Sequence, residues 1–146
     1  MIEKQFFTLY IQYGIMKKTF CNGENMKNYN KFLNQFMDSW KNLEGEKTCE
    51  LMAEDLEYYE NPIDKPLTSK SEVKPLWAVV PDNQKDISYS GKILFEDENS
   101  CIYHFTMQRT MIATQKVQNI DGIFEIKLND NNKLTYFKQW RFTKEN

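Results

Sequence analysis

Histidine is almost missing from this chain: His104 is the only one in 146 residues. Cysteine is scarce too, and Cys21, Cys49 and Cys101 stand far apart. No pair of them has metal-ligand spacing, and a structural zinc site takes about four such ligands, so none is expected. The odd count also speaks against a disulfide framework and for free thiols in a reducing compartment, the cytoplasm. No apolar run approaches the roughly 20 residues that span a bilayer, so no membrane partner is expected. The formal charge of -2 is nearly balanced, with lysines and carboxylates interspersed. Without a basic stripe, nucleic acid is not an expected partner. Without a glycine-rich phosphate loop, and with one histidine, no cofactor is expected either.

Aromatic residues, by contrast, make up 14% of the chain. A single domain of this length buries roughly 70% of its unfolded surface, so a sizeable core is available. The first 26 residues read differently from the rest. "FFTLYIQYGI" has the length of a signal h-region, but Thr8 and Gln12 interrupt it and no small-residue cleavage site follows. Met16 and Met26 each open a segment that looks like a chain start. The domain is expected over 27–146, with 1–26 an extension or a misassigned start.

From Asn28 the spacing turns helical. Phe32, Phe36 and Trp40 recur every fourth residue with Leu33, Met37 and Leu43 beside them, and Gly45 is the expected helix stop. A short helix is predicted over Glu46–Met52. The strand "LEYYENP" follows, stopped by Pro62 and Pro66. Ser69 and Glu72 form a capping-box pattern for a third helix, which Pro75 should shorten or kink near Trp77. Beyond Asp86 come four alternating runs, starting at Ile87, Ser100, about Gln115 and Leu134, joined by turns such as "EDENS" and "NDNNK". Three helices before an antiparallel meander define an α+β protein, with helices packed on one face of a strongly curved sheet.

That order, together with "FMDSWKNLEGEKTCELMAEDLEYYENP", "SKSEVKPLW" and "GIFEIKLNDNNKLTYFKQW", resembles the NTF2-like superfamily and within it the SnoaL-like proteins. The resemblance covers residues 28–143. It implies a conical half-barrel around a deep cavity, a Tyr-x-Asn pair on the cavity wall, and a homodimer through the outer sheet face. Tyr59 and Asn61 match that pair. The superfamily hosts epoxide hydrolases, ketosteroid isomerases, polyketide cyclases, dehydratases and non-catalytic binders, so the site must decide among them.

Against the limonene epoxide hydrolase pattern, Gln139 falls where the last-strand aspartate is required. His104 and Thr106 fall where an Arg-x-Asp pair is required. Neither glutamine nor threonine ionises near neutral pH, so neither activates water as a base. The isomerase pattern needs an inward carboxylate. Period-2 geometry turns Glu60 outward if Tyr59 is inward, while Asp64 and Asp121 carry no distinctive signature. What remains is a neutral, hydrogen-bonding cavity: Tyr59, Asn61, His104, Thr106, Gln118 and Gln139, with Arg141 near its open end. Trp40, Trp77, Phe124 and Phe137 would form its apolar walls.

His104 is the candidate proton carrier, because its ordinary pKa lies near neutrality. The bland reading is a histidine satisfied by a strand neighbour. For Tyr59 and Asn61 the bland readings are rim packing and turn initiation; Trp40 and Trp77 are as readily core residues. The alternation in "CIYHFTMQR" leaves two facings open. Cys101, Tyr103, Phe105 and Met107 are the more apolar set, and if they face inward His104 faces out. The function expected is binding of a small, mostly apolar or amphipathic molecule in the cone. Acid–base chemistry of the isomerase, cyclase or dehydratase type accompanies one version of it; the alternative is a non-catalytic ligand-binding or dimeric interaction module.

Overall fold

The computed structural model of the protein describes residues 27–146, so the expected N-terminal extension lies outside the described residues. Helix α1 spans Tyr29–Lys41, and the Asn28 side chain caps it by accepting from the Lys31 N–H at 2.9 Å. Its stripe of Phe32, Leu33, Phe36, Met37 and Trp40 is buried, as the spacing predicts. The helix does not end on Gly45. The chain turns at Leu43, in the left-handed region at φ 61°, and Gly45 instead opens α2, Gly45–Glu50. The glycine is needed there for room, since a Cβ would run into the Trp77 carbonyl.

Strand β1, Met52–Tyr59, follows directly, and β2, Leu67–Ser69, pairs back on it. Helix α3, Lys70–Ala78, starts with the predicted capping box: Ser69 accepts from the Glu72 N–H and Glu72 accepts from the Ser69 N–H. Pro75 sits inside it, and the helix stops three residues later before the short α4, Val80–Asn83. The four long strands are β3 (Gln84–Glu96), β4 (Cys101–Met111), β5 (Val117–Leu128) and β6 (Leu134–Glu145).

The architecture is α+β, a six-stranded curled open sheet in the order β2-β1-β6-β5-β4-β3. The expectation of a wholly antiparallel sheet needs one correction: β1 runs parallel to β6, with Tyr58 beside Phe137 and Tyr59 beside Lys138. A strand that precedes the meander, yet must flank its last member, is carried there by the long excursion through β2, α3 and β3–β5. The helices lie in the concavity. Phe36 of α1 and Trp77 of α3 meet edge to face at 5.4 Å, and Phe36 meets Phe124 of β5 at 5.9 Å. Each such buried aromatic contributes roughly 1.5–3 kcal/mol, which holds the helices into the curl. Among the described residues no helix is long and apolar enough to cross a membrane.

Candidate functional site

Burial along β4 alternates strictly, with Cys101, Tyr103, Phe105, Met107 and Arg109 inward. The more apolar set is therefore the inner one. On β5, Ile120, Phe124 and Ile126 share that face, and on β6 Leu134, Phe137 and Gln139 do. Their rings fill the bottom of the concavity: Phe105 stacks on Phe124 at 4.3 Å, Phe124 lies 4.9 Å from Phe137, and Tyr58 stacks on Phe137 at 4.5 Å. Trp40 and Trp77 complete the packing at 5.5 Å from one another.

Above this floor, polar groups converge at the end of β1. Gln139 is only 3% exposed, and its Nε2 donates to the Glu60 carbonyl at 3.0 Å. Tyr59 stands beside Lys138, and the next residue, Glu60, follows beside Gln139 with its carboxylate near Gln139 and Arg141. Arg141 Nη2 lies 3.6 Å from Glu60 Oε1. From β4, Arg109, 7% exposed, donates through Nε to Gln118 Oε1 at 2.9 Å. Gln118 Nε2 in turn donates to Glu145 Oε2 at 2.9 Å, and Glu145 pairs with Lys116 at 3.0 Å.

The charges of this rim are perturbed in ways its geometry explains. Partial burial pushes the Glu60 carboxyl above its ordinary range, with Arg141 opposing. Nearly half of that side chain, 47%, still reaches solvent, which keeps it open to a visiting molecule. Burial, then the repulsion of Arg141, brings the Arg109 guanidinium down to about 10, with Glu60 opposing. Tyr58 is held well above a free phenol by burial and by Glu60. The Trp77 indole N–H sits near the Tyr58 hydroxyl but meets no acceptor in hydrogen-bond geometry among the described residues.

The sequence candidates thus divide. Trp77, Phe124, Phe137 and Gln139 stand on the inner side, and Gln118 stands at the rim beside Arg109. Tyr59, His104 and Thr106 do not join them. His104 and Thr106 belong to the outward set of β4, where His104 Nε2 is 2.9 Å from Asp121 Oδ1. Tyr59 packs outside against Tyr136 and under Lys138, its hydroxyl donating to Glu57 at 3.2 Å. Asn61 lies exposed in the turn after β1, its Oδ1 accepting from the Ile63 N–H at 3.4 Å. The inner pair on this strand is Tyr58 and Glu60, one residue earlier than expected. Sequence reasoning missed it because two adjacent tyrosines left the facing open; the signal was the alternation Leu56, Tyr58, Glu60. With this facing, Glu60 supplies an inward carboxylate.

Two clefts open elsewhere. The outer face of β3–β6 carries a groove of about 650 Å³, lined by Ser88, Ser90, Thr106, Gln108, Asp121 and Phe142 among others. A charged notch of about 410 Å³ lies between α2, β1 and α3, beside Cys49, Lys70 and Lys74.

No protein-family model matches the sequence, and no curated protein matches it. Solved structures do. The epoxide hydrolase/cyclase-like enzyme SalBIII superposes with a TM-score of 0.68 at 8% identity, over 77% of this chain and 89% of that one. An NTF2-like protein from Burkholderia xenovorans gives 0.63 at 14% identity, over 82% and 93%. A protein with a ketosteroid isomerase-like fold from Catenulispora acidiphila gives 0.64 at 9% identity, over 75% and 83%. The fold is therefore the NTF2-like one.

Proposed function

We propose that the protein binds a small, mostly apolar molecule at the inner rim of its curled sheet and that Glu60 exchanges a proton with it. The observation carrying this reading is the convergence of Glu60, Gln139, Arg109 and Arg141 above an aromatic floor. A carboxyl lifted above its ordinary range is a better proton carrier near neutral pH than an unperturbed one. The floor binds the apolar part of the ligand, while Gln139 and Arg141 orient its polar part. Chemistry of the isomerase, cyclase or dehydratase type fits this division of labour, because each needs a proton moved beside a stabilised oxygen. Binding without turnover uses the same groups except for the proton transfer.

The test is a panel of uncharged cyclic enones and epoxides followed by amide chemical shifts. Perturbations clustered at Tyr58, Glu60, Trp77 and Gln139 support the reading, and conversion of a member that is lost in Glu60→Gln makes it catalytic. Perturbations confined to the outer groove at Thr106, Gln108 and Phe142 would overturn it.

A second reading concerns the outer face. Phe142 is 86% exposed there, with Trp140 and Phe95 also uncovered, which favours a second copy of the chain covering that surface. Stable interfaces bury about 800 Å² per partner, more than scattered side chains supply and about what a sheet face can offer. Sedimentation as a dimer that Phe142→Asp dissociates is the expected result; a monomer at high micromolar concentration removes this reading. The buried thiols of Cys49 and Cys101 accord with a reducing compartment, and we place the protein's work in the cytoplasm on that basis.

A further inference from the structure

The rim holds more positive charge than it neutralises. Arg109 and Arg141 face a single carboxylate, Glu60, and that carboxylate lies 3.6 Å from Arg141, beyond a good hydrogen bond. Arg109 is the more demanding of the two. It is 7% exposed, and among the described residues its one hydrogen bond goes to the neutral amide oxygen of Gln118. A guanidinium carries five N–H donors in a fixed fork, and the donors of Arg109 that Gln118 does not use are not among the enclosed atoms without a partner, so they reach solvent and stand open to an anion. Burying such a cation beside another one is costly unless an anion meets it. Glu145 does not fill that role: Gln118 stands between it and Arg109, and Lys116 already pairs with it. Counting these five groups, the cluster has three cations and two anions, one positive charge in excess.

We infer that the ligand of this rim carries a carboxylate, held by the forks of Arg109 and Arg141 with its apolar portion lying toward Trp77 and Tyr58. The inference rests on the binding reading above and narrows it to a class of ligand. One surplus charge calls for a monoanion rather than a phosphate dianion. The flat guanidinium fork matches the two oxygens of a carboxylate better than any other common anion of that charge. Glu60 stays at the edge of this grip, where its carboxyl can exchange a proton with the carbon framework rather than hold the anion.

The test compares benzoate with benzamide, equal in shape and different in charge, by calorimetric titration and thermal shift. Charge-assisted bonds to two guanidiniums predict that benzoate binds about 10- to 100-fold more tightly. The preference should fall below about threefold in Arg109→Met, while Arg141→Gln weakens it in part. The ligand-free Arg109→Met variant should melt close to the parent, because the lost bond to Gln118 is offset by relief of the repulsion between Arg109 and Arg141. A clear drop in its melting temperature, with no benzoate preference in the parent, would show Arg109 to be paired internally and overturn the inference. Equal binding of benzoate and benzamide removes the carboxylate but leaves the rim a ligand site. Binding of neither at millimolar concentration sinks both. Inorganic phosphate stabilising the protein more than benzoate would replace the carboxylate with a phosphate and overturn the assignment.

Discussion

Replacing Phe124 by alanine probes the floor on which everything else stands. Its ring has no exposure and four aromatic neighbours, with centroids at 4.3 Å (Phe105), 4.9 Å (Phe137), 5.9 Å (Phe36) and 6.1 Å (Tyr103). These neighbours come from β4, β6 and α1, and the strand ladders on both sides of β5 keep them from closing in. The void should therefore persist, and the loss should sit in the usual range for such a truncation, about 3–5 kcal/mol. For a domain of this size that corresponds to a melting temperature lower by about 10–15 °C. Urea titration followed by tryptophan fluorescence gives the free energy, since Trp77 and Trp40 pack in the same cluster. An apolar void of this kind stays dry and takes up a benzene-sized molecule, so benzene should recover part of the stability. A loss below about 1.5 kcal/mol, with no effect of benzene, would refute the reasoning. The ring would then lie in loose space, and the concavity would not be the filled floor described above.

Further outcomes follow from other positions. Gly122→Ala should destabilise despite the roughly 0.5–1 kcal/mol by which alanine is favoured over glycine in a strand, because its Cβ would approach the Phe105 ring to 2.7 Å and the Trp140 carbonyl oxygen to 2.9 Å; equal stability in urea would contradict this. Ser69→Ala should cost about 1 kcal/mol by removing half of the capping box at α3. The Glu72 carboxylate accepts from Thr68 and Ser69 and so titrates below its ordinary range. The stabilisation it supplies is therefore complete above that range and is lost as pH falls through the lowered value. A pH series of Glu72→Gln against the parent should converge in acid, and a constant gap would refute the assignment. Burial pushes the Cys101 thiol up to about 12, so a thiol reagent at pH 8 should leave it unmodified in the native protein and label it in urea; native labelling would show that β4 opens.

Much of this was legible in the residues, and the exceptions have physical causes. The stripe Phe32, Phe36, Trp40 announced α1, and the alternation of β3 to β6 announced the meander, because both patterns repeat over ten residues or more. The capping box at Ser69 was legible because it is a purely local device. The facing of β1 was not, since Tyr58 and Tyr59 are equally apolar and only the partner strand decides between them. The same ambiguity put His104 and Thr106 on the wrong side, although the apolar set of "CIYHFTMQR" pointed the right way. Gly45 looked like a helix stop because glycine serves there so often; the Trp77 carbonyl that requires it lies in another helix. Nothing local marks Arg109, which only tertiary packing buries. The parallel pairing of β1 with β6 is likewise a property of the whole chain, not of either segment.

That parallel pairing orders events in time. The contacts of β3 with β4, β4 with β5 and β5 with β6 join neighbours along the chain and can form while it is still emerging. Strand β1 must wait for β6, made after β3, β4 and β5, before Tyr58 can settle on Phe137 and Glu60 beside Gln139. Closing so long a loop is the slow kind of step in folding. Pulse-labelled hydrogen exchange should find the meander amides protected first and those of β1 last. The carboxylate proposed to exchange a proton thus reaches its place only at that closure, so a newly made chain has its helices and meander before the proposed site is complete.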